Sequence, residues 1–462
     1  MNNFSRERFK TGEEYSRALF FLSPFILLFS ISLFQVLNLT LFQGDKYQTI
    51  AESNRIYQKP ISPVRGFIYD RNGTLLAENI VQRDLYVTPA YIEDSAETIL
   101  KLSNLLDVPY ELLDENFSRG VKKVKKFDSF PLVKALNEEQ IAKAKVNLDS
   151  ISGIEVKATL KRYVLHEETL AHVLGYVGDI SSDDIRRDKL LAELQNTQIG
   201  KTGIEKEFDY VLRGKPGIQT QERDVKGKLV RILDTQGAED GKDIYLTIDQ
   251  KLQDHLFKLF ENRRGALVAL EPKTGLVRAL ISSPSFNPNI LNSIVDTDEV
   301  ESLFSNKESP IFNRAISGQY PPASTLKPFV GLAAIENEVI SWDKKIKDDG
   351  EFYVEGDPRP YRGWKENGHG RVDMRKAIAE SSDVYFYNIA FDLTLSGIRP
   401  MLDSFGFGKK TGLTDFEANG LLPDKKWKLG YKGDFWFKGD TINLGIGQVY
   451  ILATPLQLAM AY

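Results

Sequence analysis

Residues 320–328 read Tyr320-Pro321-Pro322-Ala323-Ser324-Thr325-Leu326-Lys327-Pro328. Two prolines and a small residue lead into a helical stretch, which predicts Ser324 at or near a helix N-terminus. Positions i and i+3 share a helix face, so Lys327 is expected beside Ser324. A serine hydroxyl is a poor nucleophile until a base removes its proton. A lysine can be that base once burial and nearby dipoles lower its pKa toward neutrality. Positive potential at a helix start favours the neutral amine and a developing oxyanion alike. Ser-x-x-Lys by itself also describes a capped surface helix, so the pattern needs a second group.

That group is offered by Glu380-Ser381-Ser382-Asp383-Val384-Tyr385-Phe386. A Ser-x-Asp loop between two helices can present a second hydroxyl to the same lysine. Ser381 is then expected to relay a proton to a leaving amine, while Asp383 holds the loop and touches substrate amides. With S-x-x-K and S-x-D together, the sequence resembles the penicillin-binding proteins, whose serine transpeptidase site adds a K-[ST]-G strand.

Composition agrees with an enzyme of this kind and excludes others. The 462 residues are 42% hydrophobic and 27% charged, enough for a sizeable core and about three domain-sized units. Sixty basic against sixty-four acidic residues give a net charge of −4, without the basic excess that binding nucleic acid requires. Cysteine is absent, which removes disulfides, thiolate metal sites and cysteine nucleophiles. Four histidines leave little material for a histidine-based triad or a three-histidine metal site.

Ala18 to Leu37 reads ALFFLSPFILLFSISLFQVL without a charged side chain, long enough to cross a bilayer. Arg6, Arg8, Lys10 and Arg17 precede it, so residues 1–17 are expected as a cytoplasmic tail, 18–41 as a transmembrane anchor in the inner membrane, and the remainder outside the cytoplasm. A cleaved signal peptide would need a shorter apolar region and a small-residue cleavage site.

Past the anchor, Phe67-Ile68-Tyr69 is predicted as a short strand entering a turn at Asn72-Gly73. The run VKKVKK at 121–126 is flanked by acidic residues and reads as a solvated face. Gly200-Lys201-Thr202 is not a phosphate loop, because Gln195 stands where the first glycine is required. A polar linker near 236–243 divides a region at 42–238 from one at 239–462. In the latter, IYLTIDQKLQDHLFKLF predicts strand then helix, and GALVALEPKTGLVRALIS predicts a β-hairpin. The expected fold class is α+β.

The resemblance covers nearly the whole chain, through SPVRGFIYDRNGTLLAEN, HVLGYVG, GKTGIEKEFDYVLRG, DIYLTIDQKLQ, NRAISGQYPPASTLKP, YRGWKENGHGR, ESSDVYFYNIAFD and GDTINLGIGQVYILATPLQLAMAY. It is nearest the elongation-specific branch of the class B penicillin-binding proteins. It implies a non-catalytic pedestal of the dimerisation type at 42–238 and a β-lactamase-like transpeptidase domain at 239–462. Ser324, Lys327, Ser381 and Asp383 become the catalytic residues. The implied substrate is a peptidoglycan stem peptide ending in D-Ala-D-Ala, with β-lactams acylating the same serine. Implied partners are an elongation glycosyltransferase and scaffold proteins at the membrane. No cofactor or metal is expected.

The sequence also departs from that pattern. The Lys-Thr-Gly triplets at Lys201–Gly203 and Lys410–Gly412 both precede the helix expected after Thr454-Pro455, and neither is assigned the K-[ST]-G role. The transpeptidase domain is therefore expected to lack its C-terminal strands, with impaired activity. Some family members bind zinc through two aspartates, a histidine and a cysteine. Asp348 and His369 match two of these, but Gly363 and Ser382 replace the others, so His369 reads as a structural hydrogen-bonding residue. The alternative reading is a non-catalytic, membrane-anchored activator of a cell-wall glycosyltransferase.

Overall fold

The computed structural model describes residues 4–39, 55–124, 126–147, 151–189, 191, 198–224, 229–261, 263–292 and 297–462. The first element is a long helix, Phe4–Leu37. Its window Phe20–Leu37 has mean hydropathy 2.1 and no buried residues, and it is the one helix among the described residues long and apolar enough to cross a membrane. Pro24 has no N–H to offer the Phe20 carbonyl four residues back. The Ser23 hydroxyl donates to that carbonyl at 3.0 Å, so the apolar window keeps it satisfied. The last residues of the expected 18–41 anchor, 40 and 41, lie outside the described residues.

The chain divides into two compact units, Met1–Ser62 with Pro216–Ala238 and Pro63–Lys215 with Glu239–Tyr462. The first carries the long helix and an antiparallel sheet of strands Ile56–Ile61, Gly217–Arg223 and Leu229–Gln236, the middle one central. The second carries everything else and is of the α+β class.

Its five-stranded sheet is built on Leu75–Val87, which pairs along nearly its whole length with Ile154–Val164, from Ala77 opposite Val164 to Val87 opposite Ile154. The expected turn after Ile68–Tyr69 forms at Asn72-Gly73. Gly73 takes φ +83°, and the Asp70 carboxylate accepts from the Asn72 and Thr74 amides, both at 2.8 Å. Lys122, in the 121–126 run, is exposed as expected, while Lys125 lies outside the described residues.

Within the polar linker expected near 236–243, three residues pack closely on their surroundings. Asp240 and Asp243 accept from the Val64 and Phe67 amides at 2.8 and 2.7 Å. A Cβ on Gly241 would stand 1.8 Å from the Leu212 carbonyl oxygen, so only glycine allows this approach.

Beyond it, helix Gln250–Lys258 starts on an Asp249 cap, and strands Gly265–Leu270 and Val277–Ser283 form the antiparallel hairpin foreseen from the sequence. Gln253 is fully buried and ties the helix to the hairpin, exchanging hydrogen bonds with the Leu280 backbone at 2.8 and 2.9 Å.

Two helices make the main core. Lys327–Glu336 buries Phe329, Val330, Ala333 and Ala334 against Tyr385, Phe386 and Ile389 of Asp383–Ser404. Burying such apolar side chains contributes roughly 1.5–3 kcal/mol for each large one, which holds the pair together. The helix Pro455–Ala461 starts on the Thr454–Gln457 capping box, as Thr454-Pro455 predicted.

Candidate active site

Ser324 is exposed in a short 3₁₀ turn, Ala323–Leu326, and Lys327 opens the α-helix that continues from it. In 3₁₀ geometry i and i+3 eclipse, so the two residues do share a face. The turn is anchored from outside. Ala323 N donates to Gly447 O at 2.9 Å, and a Cβ on Gly447 would lie 2.2 Å from the Ala323 oxygen. Gly447 also takes φ +73°, a second reason for glycine there.

The Glu380–Ser382 loop joins helices Met374–Ala379 and Asp383–Ser404, as expected for Ser-x-Asp. It brings Ser381 Oγ within 2.9 Å of Ser324 Oγ. Lys327 Nζ donates to Ser381 Oγ at 3.1 Å, to Ser381 O at 2.8 Å and to Asp383 Oδ1 at 2.7 Å. The four expected residues therefore converge, with one difference. Among the described hydrogen bonds Lys327 makes none to Ser324, and the Ser381 hydroxyl stands between them. The reason is that the ammonium spends its three donors on the 381–383 loop, a demand that helical spacing does not reveal.

Lys327 is 1% exposed. Burial pulls its pKa below the ordinary lysine value, while hydrogen bonding and charge from Asp383 pull it back up. The result is a buried amine poised to lose its proton more readily than a free lysine.

The loop is braced by residues to which sequence reasoning assigned no role. Trp364 donates from its indole to Ser381 O and from its amide to Asp383 Oδ2, both at 3.1 Å. It lies in YRGWKENGHGR, where nothing in local spacing links it to residues 381–383. Ser382 caps the following helix, accepting from Tyr385 N at 3.2 Å, and its hydroxyl donates to Asp348 Oδ2 at 2.6 Å. Ser381 itself sits at φ +54°, a conformation that costs a non-glycine residue about 1–3 kcal/mol and that these braces sustain.

Asp348 is 1% exposed and also accepts from the Gly350 amide at 2.9 Å and pairs with His369 Nδ1 at 2.7 Å. Burial pushes its carboxyl up, but the hydrogen bonds from Ser382, His369 and Gly350 outweigh this and hold it below the usual carboxylate range. His369 is thus a hydrogen-bonding residue here. Gly363 brings no ligand to the position, its amide donating to Gly350 O at 2.8 Å. Among the described residues no group of three or more acidic or histidine side chains is placed to hold a metal ion.

Neither Lys-Thr-Gly triplet reaches this cluster. Lys201 pairs with Asp184, and a Cβ on Gly200 would strike the Glu205 carbonyl, so that segment is a packing feature. Lys410 donates to Asp415 O at 2.6 Å and Thr411 to Glu417 at 2.7 Å, which closes a local loop.

Comparison with known proteins is consistent with this geometry. Residues 60–246 match the Penicillin-binding Protein dimerisation domain, and residues 265–462 the Penicillin binding protein transpeptidase domain. The chain is 38% identical over 425 residues to peptidoglycan D,D-transpeptidase MrdA of Acinetobacter baumannii, an alignment covering 92% of this chain and 63% of that protein. It is 36% identical over 453 residues to MrdA of Escherichia coli, covering 96% and 71%. The chain thus spans about two thirds of the length of these relatives. Among solved structures, the complex between penicillin-binding protein PBP2 and MreC from Helicobacter pylori is similar with a TM-score of 0.78 at 30% identity, over 87% of this chain and 76% of that one.

Proposed function

This chain belongs to the MrdA family of penicillin-binding proteins, and from that premise we propose that it is a serine D,D-transpeptidase of cell elongation with Ser324 as its nucleophile. The observation that carries the reading is the line Ser324 Oγ, Ser381 Oγ, Lys327 Nζ, with spacings of 2.9 and 3.1 Å, ending on a buried amine. When Lys327 is neutral, its lone pair takes the Ser381 proton while Ser381 takes that of Ser324. The Ser324 oxygen then bonds to the carbonyl carbon of the penultimate D-alanine of a stem peptide. Collapse of the tetrahedral adduct breaks the peptide bond, and the proton returns along the line to the departing D-alanine amine. An amine of a neighbouring stem attacks the acyl-serine, gives up a proton to the same relay and frees Ser324. A β-lactam acylates Ser324 by ring opening in the first half of this sequence. Asp383 holds the loop by bridging Lys327 and the Trp364 amide.

In this reading residues 42–238 are the pedestal and 239–462 the transpeptidase domain. Residues 18–41 are the inner-membrane anchor with 1–17 in the cytoplasm, supported by the apolar helix and the basic residues before it. An elongation glycosyltransferase and a scaffold protein are the partners. The Helicobacter pylori relative, solved with MreC, supports the scaffold. A site with a buried lysine behind two hydroxyls favours the enzyme over a purely non-catalytic activator. The test is labelling with a fluorescent penicillin. Wild-type protein is expected to label and Ser324→Ala to stay dark; an unlabelled wild type, or a labelled Ser324→Ala, overturns the reading.

A further inference from the structure

A cavity of about 750 Å³ lies in the same compact unit between the kinked part of helix Asp383–Ser404 and the 424–441 region, and Ser324, Lys327, Ser381 and Asp383 are not among its lining residues. Its size is that of a small-molecule site, which ranges over roughly 300–1,000 Å³. Four cations line it, Arg399, Lys425, Lys426 and Lys438, against a single carboxylate, Asp424. That carboxylate is committed elsewhere: one oxygen caps a helix by accepting from Trp427 N at 2.7 Å, and the other lies 3.9 Å from Arg399. Among the described residues the three lysines have no ion-pair partner. Arg399 Nε is buried and has no hydrogen-bond partner, an unusual state for a guanidinium donor.

The walls are aromatic. Phe391, Trp436 and Phe437 line the cavity, with the indole fixed by donation to Thr441 Oγ1 at 2.8 Å and Lys438 Nζ 5.3 Å from the Phe391 ring centre. The helix breaks at Thr394, which has φ 59° and ψ 175°, so Leu395 and Ser396 place the first turn of a new helical segment in the cavity wall. Amides at such a start lack intrahelical partners. A fixed indole face beside Phe437, three lysines without an ion-pair partner among the described residues and an unsatisfied guanidinium donor complement a ligand with a ring and a negative charge.

We propose that this cavity is a binding site for an anionic sugar, a saccharide ring bearing a carboxylate or a phosphate. Arg399 and the lysines take the anion, and Trp436 with Phe437 takes the ring. The site is separate from the acylation chemistry and does not depend on it.

Calorimetric titration of the full chain in detergent tests this with four probes: N-acetylglucosaminyl-N-acetylmuramic acid for a carboxylated sugar, N-acetylglucosamine 1-phosphate for a phosphorylated one, the neutral N-acetylglucosamine dimer, and inorganic phosphate. Saturable binding of one or both anionic sugars is expected, and which of them binds identifies the anion. The neutral dimer and inorganic phosphate should each bind at least about tenfold more weakly, and Lys425→Glu with Lys438→Glu should weaken the anionic sugar by about tenfold or more. No binding by either anionic sugar, equal binding of the neutral dimer or of phosphate alone, or indifference to the charge reversals overturns the proposal. Fluorescent-penicillin labelling of Ser324 in the same doubly substituted protein is expected to be unchanged. This keeps a failure here distinct from a failure of the transpeptidase reading and verifies that the variant is folded.

Discussion

Lys327 and Asp383 form an ion pair at 2.7 Å whose lysine is 1% exposed and whose ammonium also reaches the Ser381 hydroxyl. The pair opposes the proton loss that a general base needs. Burial favours the neutral amine and the aspartate favours the charged one, with burial the larger effect.

Replacing that aspartate isolates its contribution. Acylation requires neutral Lys327, so its rate rises with pH as the amine loses its proton. Asparagine at 383 keeps a hydrogen-bonding group but removes the charge that holds the lysine pKa up. Asp383→Asn is therefore expected to move the rising limb of the acylation rate to lower pH. Penicillin acylation rates measured across a pH series check this, and a limb that stays put or moves to higher pH refutes it.

Among the described residues Ser381 is the only bridge between Lys327 and Ser324, so Ser381→Ala is expected to lower the acylation rate about as much as Lys327→Ala, on the order of 10²–10⁴-fold. Two members of one relay do not add. The double variant should be close to the worse of the two single ones. Stopped-flow acylation kinetics would contradict this if Ser381→Ala kept near wild-type rates or if the losses multiplied.

Asp348 ties Ser382, His369 and Gly350 together beneath the loop. Its folded carboxyl lies below its unfolded value, so it adds stability above the unfolded pKa that is lost as pH falls through the folded one. Asp348→Asn is expected to cost roughly 1.5–3 kcal/mol near neutral pH through its weakened hydrogen bonds. The deficit should shrink in acid, where the wild-type carboxyl protonates. Urea midpoints of both proteins at the two pH values decide the matter, and a deficit that grows on acidification counts against it.

Gly447 meets the Ser324 turn at a distance no side chain tolerates, with φ +73° besides. Gly447→Ala should lose about 1–2 kcal/mol for the left-handed backbone alone, with more from the contact. It should also slow acylation, because the displaced element carries Ser324. A variant with normal melting and normal labelling would show that the contact is dispensable.

Much of this protein is legible in short stretches of sequence, because the physics there is local. An apolar run long enough for a bilayer, Asn72-Gly73 at a turn, a hairpin around Glu271–Gly275, a Thr454 cap and Ser324 with Lys327 one helical turn apart all follow from periodicity, capping and backbone preference. What tertiary structure alone decided depends on which distant groups share a small buried volume. It set Ser381 between Lys327 and Ser324, turned Trp364 and Ser382 into supports for that loop, and closed Asp348 and His369 into one hydrogen-bonded set. It also packed Gly241 against Leu212 and, among the described residues, left Lys425, Lys426 and Lys438 without an ion-pair partner beside Trp436. Spacing along the chain can show that two side chains face the same way. It does not show where a buried ammonium directs its three donors, because that is fixed only when the surrounding core has removed water from every alternative.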